Sequence, residues 1–327
     1  MSYKTKQNTD WRIWLGRLLG LSVLGLMTWQ LMQQEDLGSW WYNFQYSLRV
    51  PGHWIYLCLV IVLMPINWCL EIAKWRKLLQ TSWSISWWSA TRFVLAGISV
   101  SLATPNRIGE YGGRLLLAPT EQTANIVFSS IVGSICQWIA FIICGWPALI
   151  FWCAEVLLWP VSLKYVLAML IPVLLLIGLF TIPWLLRRQN FKLFFLKWKW
   201  WRWFRRKATL VRQLERRVFL QALLLALVRF WVYTSQYLIL LWFFNVSLNI
   251  WVGISGIFCI YLIQAGIPLP PGLGVITRSE IALLIWGADT VTPLAVVSAT
   301  FSLYVINLVL PSLLGSYLLV KMKTRKN

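Results

Sequence analysis

The chain contains 327 residues, of which 59% are hydrophobic and 12% are charged, and its mean hydropathy is +0.67. A charged share about half that of a typical soluble domain excludes an ordinary soluble protein and indicates an integral membrane protein. The 30 Lys and Arg residues outnumber the 10 Asp and Glu residues. These basic residues are concentrated in a few loops between apolar runs, which favours contact with lipid headgroups and argues against nucleic-acid binding.

Eight apolar runs follow one another along the chain. They span 14–32, 54–73, 90–103, 124–150, 165–186, 218–244, 250–269 and 295–320. The first run follows Arg12 and Arg17 but ends without a small-residue cleavage site, so it predicts a retained span rather than a signal peptide. The whole chain, 1–327, is therefore predicted to be a single polytopic membrane domain.

The distribution of Lys and Arg predicts the orientation of the runs. Basic residues mark the N-terminus, the segment 74–77, the segment 187–217 and the C-terminus as cytoplasmic, and 187–217 alone has twelve of them against one acid. The segments 33–53 and 151–162 have one basic residue and none, so they are predicted to face outward. Both termini are then cytoplasmic, in a bacterial inner membrane.

An even number of complete membrane crossings must separate two segments that lie on the same side of the membrane. Three runs lie between the cytoplasmic residues 77 and 187, and three full crossings would end outside. Segment 88–120 is interrupted by Pro and Gly, so we predict a re-entrant hairpin there, and the same argument makes 250–290 a second hairpin. The predicted fold is all-α, with six transmembrane helices and two re-entrant hairpins in an inverted repeat over 12–150 and 165–320. Eight plain spans are the alternative.

The two predicted hairpins share a P-x-x-x-G motif. Each motif is followed by a glutamate, and an inverted repeat of this kind has its substrate site where the two hairpins meet. The residues expected to shape the hairpins are Pro105, Gly109, Pro270, Gly272 and Gly274, and the glutamates are Glu110 and Glu280.

Ionisable residues at membrane depth are functional candidates, because an unpaired charge in hydrocarbon costs several kcal/mol. Glu110 and Arg114 are four residues apart and can pair across one helical turn. Arg229 lies in the middle of the sixth run and needs an acid or a lipid phosphate, and Glu110 or Glu280 is its expected partner. The predicted substrate-binding residues are Arg107, Glu110, Arg114, Arg229, Tyr233, Arg278 and Glu280.

Two plainer interpretations remain open for these charges. The first hairpin could be a cytoplasmic loop whose charges are solvated, and Arg229 could form a structural ion pair. Glu71 is expected to pair locally with Lys74 or Trp75 in a structural role. The alternating aromatic and basic residues of 190–216 predict a helix in the headgroup layer, acting as an anchoring belt or as a binding surface for an anionic lipid.

Three stretches together resemble one known family. They are NWCLEIAKWRKLL at 67–79, TPNRIGE at 104–110 and PLPPGLG at 268–274. They are similar to the lysylphosphatidylglycerol synthase transmembrane region, the flippase-like domain of the multiple peptide resistance factor and of stand-alone relatives. That family usually has its second Arg three residues after the Glu, where this chain has Gly113 with Arg114 next. It also commonly has P-G-G-L-G with a Glu three residues on, where this chain has Pro271 and Thr277.

The resemblance implies lipid translocation. The chain ends at Asn327 without the aminoacyl-transferase domain of the resistance factor, so lipid lysylation is not expected. No phosphate-binding loop, H-E-x-x-H or G-x-S-x-G motif is present, and His53 is the only histidine, so we expect no enzyme activity, metal or cofactor. The expected partners are anionic or phosphate-headed membrane lipids. The alternative function is a non-transporting partner that holds a lipid-linked glycan for a separate glycosyltransferase or another envelope-biosynthesis enzyme.

Overall fold

A computed structural model describes residues 37–102, 104, 108–158, 160–187, 214–267, 273–287 and 291–321, together with Trp14, Leu18 and Leu21. These residues are almost entirely helical and contain no β strand. Four helices are long and apolar enough to cross a membrane: His53–Leu79, Thr120–Glu155, Arg216–Phe243 and Pro293–Val320. The predicted all-α membrane fold is therefore confirmed.

Each predicted apolar run from 54–73 onward is helical over most of its length, and three further helices, Leu37–Arg49, Gly109–Leu116 and Leu273–Trp286, lie between the runs. In chain order they are α1 (Leu37–Arg49), α2 (His53–Leu79), α3 (Trp87–Leu102), α4 (Gly109–Leu116), α5 (Thr123–Val156), α6 (Val161–Arg187), α7 (Arg216–Phe243), α8 (Ile250–Gly266), α9 (Leu273–Trp286), α10 (Pro293–Tyr304) and α11 (Leu310–Val320). A π-helical turn, Val305–Val309, joins α10 to α11. Most of the predicted first span and of segment 187–217 lies outside the described residues.

Helix α7 shows why an apolar sequence can bury a charge. Its exposed residues Leu220, Leu224, Val228 and Trp231 recur every three or four positions, as on one helix face. Apolar side chains exposed along a membrane helix are suited to contact with lipid tails. Arg229 follows Val228 by one residue, which turns it about 100° away from that stripe and into the bundle.

The long helices α2 and α7 pack along each other and form the centre of the bundle. Helix α3 packs against α4, α11 and α2, and helix α8 packs against α5, α9 and α7. Each pair of short helices thus contacts a long apolar helix from the other half of the chain. This arrangement brings Arg114, in the last turn of α4, and Arg278 of α9 to the central pair.

Close packing of α3 on α4 depends on glycine. A Cβ atom at Gly113 would collide with the backbone of Ala96 and Gly97, whereas a Cβ atom at the adjacent Gly112 would meet nothing within 4 Å. A methyl group at Gly113 must therefore push the two helices apart, and overpacking of this kind typically costs about 1–3 kcal/mol.

We expect Gly113→Ala to lower the melting temperature of the detergent-solubilised protein by several degrees, at about 2–4 °C per kcal/mol for a chain of this size class. Gly112→Ala is the matched control, because the same methyl group enters open space, and its melting temperature should stay close to wild type or rise slightly. Equal melting temperatures for the two variants would contradict the close contact of α3 with α4.

Candidate functional site

Five charged side chains meet between α2, α4 and α7, and we call them the central ion cluster: Glu71, Lys74, Glu110, Arg114 and Arg229. The Oε2 atom of Glu71 lies 2.6 Å from Lys74 Nζ and 3.0 Å from Arg229 Nη1. Its Oε1 atom lies 3.6 Å from Arg114 Nη2, and Arg114 pairs in addition with Glu110. One carboxylate is thus in contact with three cations.

The sequence of α2 brings Glu71 to this position. Trp68, Glu71 and Trp75 are spaced by three and four residues, so they share one face of the helix. That face is turned toward the bundle, and the three residues are 8%, 7% and 0% exposed. Because α2 packs on α7, the carboxylate of Glu71 reaches Arg229.

Each arginine of the cluster has uncharged partners as well. Arg229 Nη1 donates a hydrogen bond of 3.1 Å to Gln137 Oε1, and its guanidinium lies 5.4 Å from the ring centre of Trp68. Arg114 Nη1 donates a bond of 2.8 Å to Ser130 Oγ, and its guanidinium lies 4.8 Å from the ring centre of Trp75. Aromatic faces attract cations, so both guanidinium groups are held from more than one side.

The central ion cluster contains more cations than anions. Three positive side chains face two carboxylates, and Arg114 and Lys74 are 1% and 2% exposed. The Nε atoms of Arg114 and Arg229 and the Nε1 atom of Trp68 are buried without an acceptor among the described residues. Buried donors are normally paired, so this surplus makes the cluster suitable for binding an additional anion.

A second, half-buried cation contacts α7 one helical turn after Arg229. Arg278 of α9 donates from Nε to Gln264 Oε1 at 2.8 Å and from Nη1 to the hydroxyl of Tyr233 at 3.2 Å. Its guanidinium lies 5.3 Å from the ring centre of Tyr261. We call these four residues the Arg278 cluster. In the part of the chain that the structure describes, no carboxylate lies within salt-bridge distance of Arg278.

Helix α7 connects the two clusters. Arg229 belongs to the central ion cluster and Tyr233, four residues later, belongs to the Arg278 cluster, so they are neighbours on one helix face. The Nε2 atom of Gln264 donates to the carbonyl of Gly274 at 2.8 Å, which ties the end of α8 to the start of α9. Arg278 of the second predicted hairpin therefore contacts α7 directly, whereas Arg114 of the first is linked to α7 through Glu71 of α2.

A family model described as "Lysylphosphatidylglycerol synthase TM region" matches residues 13–315. The chain belongs to this family. No curated protein and no solved structure matches the chain. Membership in the lysylphosphatidylglycerol synthase TM-region family connects the protein with membrane phospholipids and agrees with its multi-pass helical fold.

The structure explains one departure from the usual family pattern. Where the family usually has its second Arg, this member has Gly113, which lies against the backbone of α3 and leaves no room for a side chain. Arg114 is four residues after Glu110, and positions three and four residues apart both lie on the face of the starting residue. The shifted arginine therefore still pairs with Glu110.

Thr277 stands where the family commonly has a glutamate. Its hydroxyl donates to the backbone carbonyl of Leu273 at 3.0 Å, so the hydrogen-bonding group at this position has its partner within α9. The nearest glutamate, Glu280, is exposed. It lies two residues after Arg278, which is about 200° around the helix from that inward-facing arginine.

The prediction that Arg229 pairs with Glu110 or Glu280 was wrong, because its acid partner is Glu71. Among the described residues Glu280 forms no ion pair, since it projects from the opposite side of α9. The predicted pairs of Glu110 with Arg114 and of Glu71 with Lys74 are both present. Glu71 in addition contacts Arg229 of α7 and Arg114 of α4.

Four predicted residues, Pro105, Arg107, Pro270 and Gly272, lie outside the described residues. Gly109 begins α4, and its backbone N–H donates to Thr104 Oγ1 at 2.7 Å. Gly274 lies in the first turn of α9 and accepts the bond from Gln264. The conformation of both glycines is thus fixed by contacts at the predicted hairpin turns.

The sequence does not predict the central position of Glu71 or the participation of Tyr261. It does predict interhelical hydrogen bonds for Gln137 and Gln264, and these bond to Arg229 and Arg278. A usable signal was present in α2, where Glu71 lies between two tryptophans on one helix face. Lys74, three residues later, predicts only a local pair for Glu71. Tyr261 is uncharged and comes from α8, so its contact with Arg278 depends on packing that the sequence does not reveal.

Proposed function

We propose that this protein is a lipid translocase that moves a phosphate-headed lipid between the leaflets of a bacterial inner membrane. The observation that supports this function best is the surplus of positive charge in the two clusters, whose cations are buried (Lys74 and Arg114) or half-buried (Arg229 and Arg278). Lys74, Arg114, Arg229 and Arg278 are opposed by Glu71 and Glu110, which leaves two positive charges more than negative ones.

A phosphate is the anion that suits these side chains. Guanidinium groups bind phosphate oxygens through two parallel N–H donors, and burial away from water strengthens each such bond. A lipid headgroup that passes through the membrane loses its hydration, so fixed donors along its path lower the barrier. The acyl tails would remain in the bilayer beside the exposed apolar faces of the helices.

The arrangement of the helices supports an inverted repeat with two re-entrant hairpins. The 16 residues of α3 and the 17 of α8 extend about 24–26 Å, which is less than the roughly 30 Å hydrocarbon core. Their contacts are also reciprocal, because α3 packs on α11 from the second half and α8 packs on α5 from the first. Binding sites in such proteins lie between the repeats.

The proposed orientation has both termini and segment 190–216 in the cytoplasm. Single cysteines introduced at Leu158 and at Arg217, in a background where the native cysteines are replaced by serine, should react from opposite sides with a membrane-impermeant maleimide. Leu158 is 88% exposed at the loop between α5 and α6, so labelling there is not blocked by packing. Labelling of both positions from the same side would contradict the inverted repeat.

Reconstitution of the purified protein tests the function directly. Liposomes that contain a fluorescent phosphatidylglycerol are treated with an impermeant reducing agent, which bleaches only the outer leaflet in protein-free liposomes. With the protein present, we expect bleaching to continue into the inner-leaflet pool. Bleaching that stops at the outer leaflet, together with co-purification of a glycosyltransferase, would instead support the non-transporting partner.

A further inference from the structure

We infer that the Glu71 carboxylate is an internal counter-ion which the phosphate of a bound lipid displaces, so that the central ion cluster exchanges one anion for another in each transport step. This inference rests on the proposed function and concerns how its site opens. It assigns to Glu71 a positioning and gating role that the sequence pattern alone does not indicate.

The contacts of Glu71 are unequal. Lys74 and Arg229 lie within hydrogen-bond distance of Oε2, at 2.6 and 3.0 Å, whereas Arg114 lies 3.6 Å from Oε1. A separation of 3.6 Å is too long for a hydrogen bond. Glu71 therefore makes close ion pairs with Lys74 and Arg229 and a more distant one with Arg114. The Nε atom of Arg114 has no acceptor among the described residues, so it is free to bind an incoming anion.

Both arginines are held in place without Glu71. Arg229 keeps the amide of Gln137 and the ring of Trp68, and Arg114 keeps Ser130 and the ring of Trp75. When the carboxylate moves away, these uncharged contacts continue to fix the two guanidinium groups. The cations thus form the permanent part of the site, and the anion is the part that can be replaced.

Lys74 provides a partner for the displaced carboxylate. It lies on the same helix as Glu71, three residues later, so the two side chains can remain paired whatever α4 and α7 do. A carboxylate and a phosphate both offer two oxygens to an arginine, and a lipid phosphate carries the same single negative charge. Exchange therefore leaves the number of charges around the arginines unchanged.

The test compares equilibrium binding of a fluorescent phosphatidylglycerol to purified variants in neutral detergent micelles. Glu71→Gln removes the competing anion, so we expect its dissociation constant to fall about tenfold, a change of about 1.4 kcal/mol. Glu110→Gln is the matched control, because it makes the same change of charge within the same cluster. Its carboxylate contacts Arg114 but not Arg229, so a smaller gain in affinity is expected.

Three outcomes would overturn the inference. Weaker lipid binding by Glu71→Gln would mean that Glu71 organises the arginines. Unchanged binding would mean that Glu71 does not compete with the lipid phosphate. Equal gains in affinity for Glu71→Gln and Glu110→Gln would mean that only the net charge of the cluster matters. If Glu71→Gln fails to fold, Glu71→Asp is used instead. The shorter side chain should keep its ion pair with Lys74 but lose its contact with Arg229. Glu71→Asp too should bind more tightly than wild type, and equal or weaker binding would overturn the inference.

The proposed function has a separate readout. If liposomes with the wild-type protein show no lipid movement, the proposed translocase function is refuted, even if Glu71→Gln binds the lipid more tightly. If the wild type moves lipid but folded Glu71→Gln binds it more weakly, the translocase function is supported and the exchange of anions at Glu71 is refuted.

Discussion

Replacing Arg229 with alanine is expected to abolish lipid translocation while the protein still inserts and folds. The substitution removes a half-buried cation that contacts the buried carboxylate of Glu71 and lies on the proposed path of the phosphate. Loss of one partner of a buried charged contact costs about 2 kcal/mol or more, which is at least about thirtyfold in rate or affinity. Arg229→Lys should recover only part of the wild-type translocation rate, because an ammonium group lacks the planar pair of N–H donors that a guanidinium offers.

The measurement is the liposome bleaching assay, with protein insertion checked by size-exclusion chromatography in detergent. Arg217→Ala is the matched control, since Arg217 is an exposed arginine on the same helix. It should translocate lipid at the wild-type rate. Wild-type rates in Arg229→Ala would exclude Arg229 from the transport path and leave it as a structural ion pair between α2 and α7.

Removal of Arg114 is expected to have the largest effect on stability. Arg114 is 1% exposed and neutralises Glu110 while it also faces Glu71. Arg114→Met leaves the half-buried carboxylate of Glu110 without its partner. Breaking a fully buried pair costs about 3–5 kcal/mol, which sets the upper end of the expected loss. The double variant Arg114→Met/Glu110→Gln should regain part of that stability, because the stranded charge has been removed.

Melting temperatures of the two single variants and the double variant give the coupling energy between Arg114 and Glu110. The exposed pair of Lys164 with Glu155, 3.2 Å apart, is the control. Lys164→Met should cost about 1 kcal/mol or less, as is usual for ion pairs in contact with water. A loss for Arg114→Met no larger than that of the control would show that Arg114 carries little of the stability of the cluster.

Local patterns in the sequence predicted the local parts of the structure. The lengths of α2, α5 and α7 followed from continuous apolar runs, and the Glu110–Arg114 pair followed from a four-residue spacing. The pair of Glu71 with Arg229 could not be predicted in this way. It depends on how α2 rotates against α7, which is decided by the packing of many side chains together.

The Arg278 cluster shows the same limit. The sequence indicated Tyr233 and Arg278 as site residues, but nothing in their spacing indicated that a hydroxyl, an amide and an aromatic face would surround the guanidinium. Uncharged partners leave weaker traces in a sequence than acids do. The sequence therefore predicted which helices carry the charges better than it predicted what each charge contacts.

The spacing of Arg229 and Tyr233 on one uninterrupted helix limits how many lipids the protein can handle at once. Four residues of helix advance about 6 Å, so the two clusters are separated by little more than the width of a phosphate group. Two phosphates at that separation would repel each other by about 3 kcal/mol at an effective dielectric constant of about 20. Under the proposed function, lipids therefore pass singly, and each headgroup must leave before the next one enters.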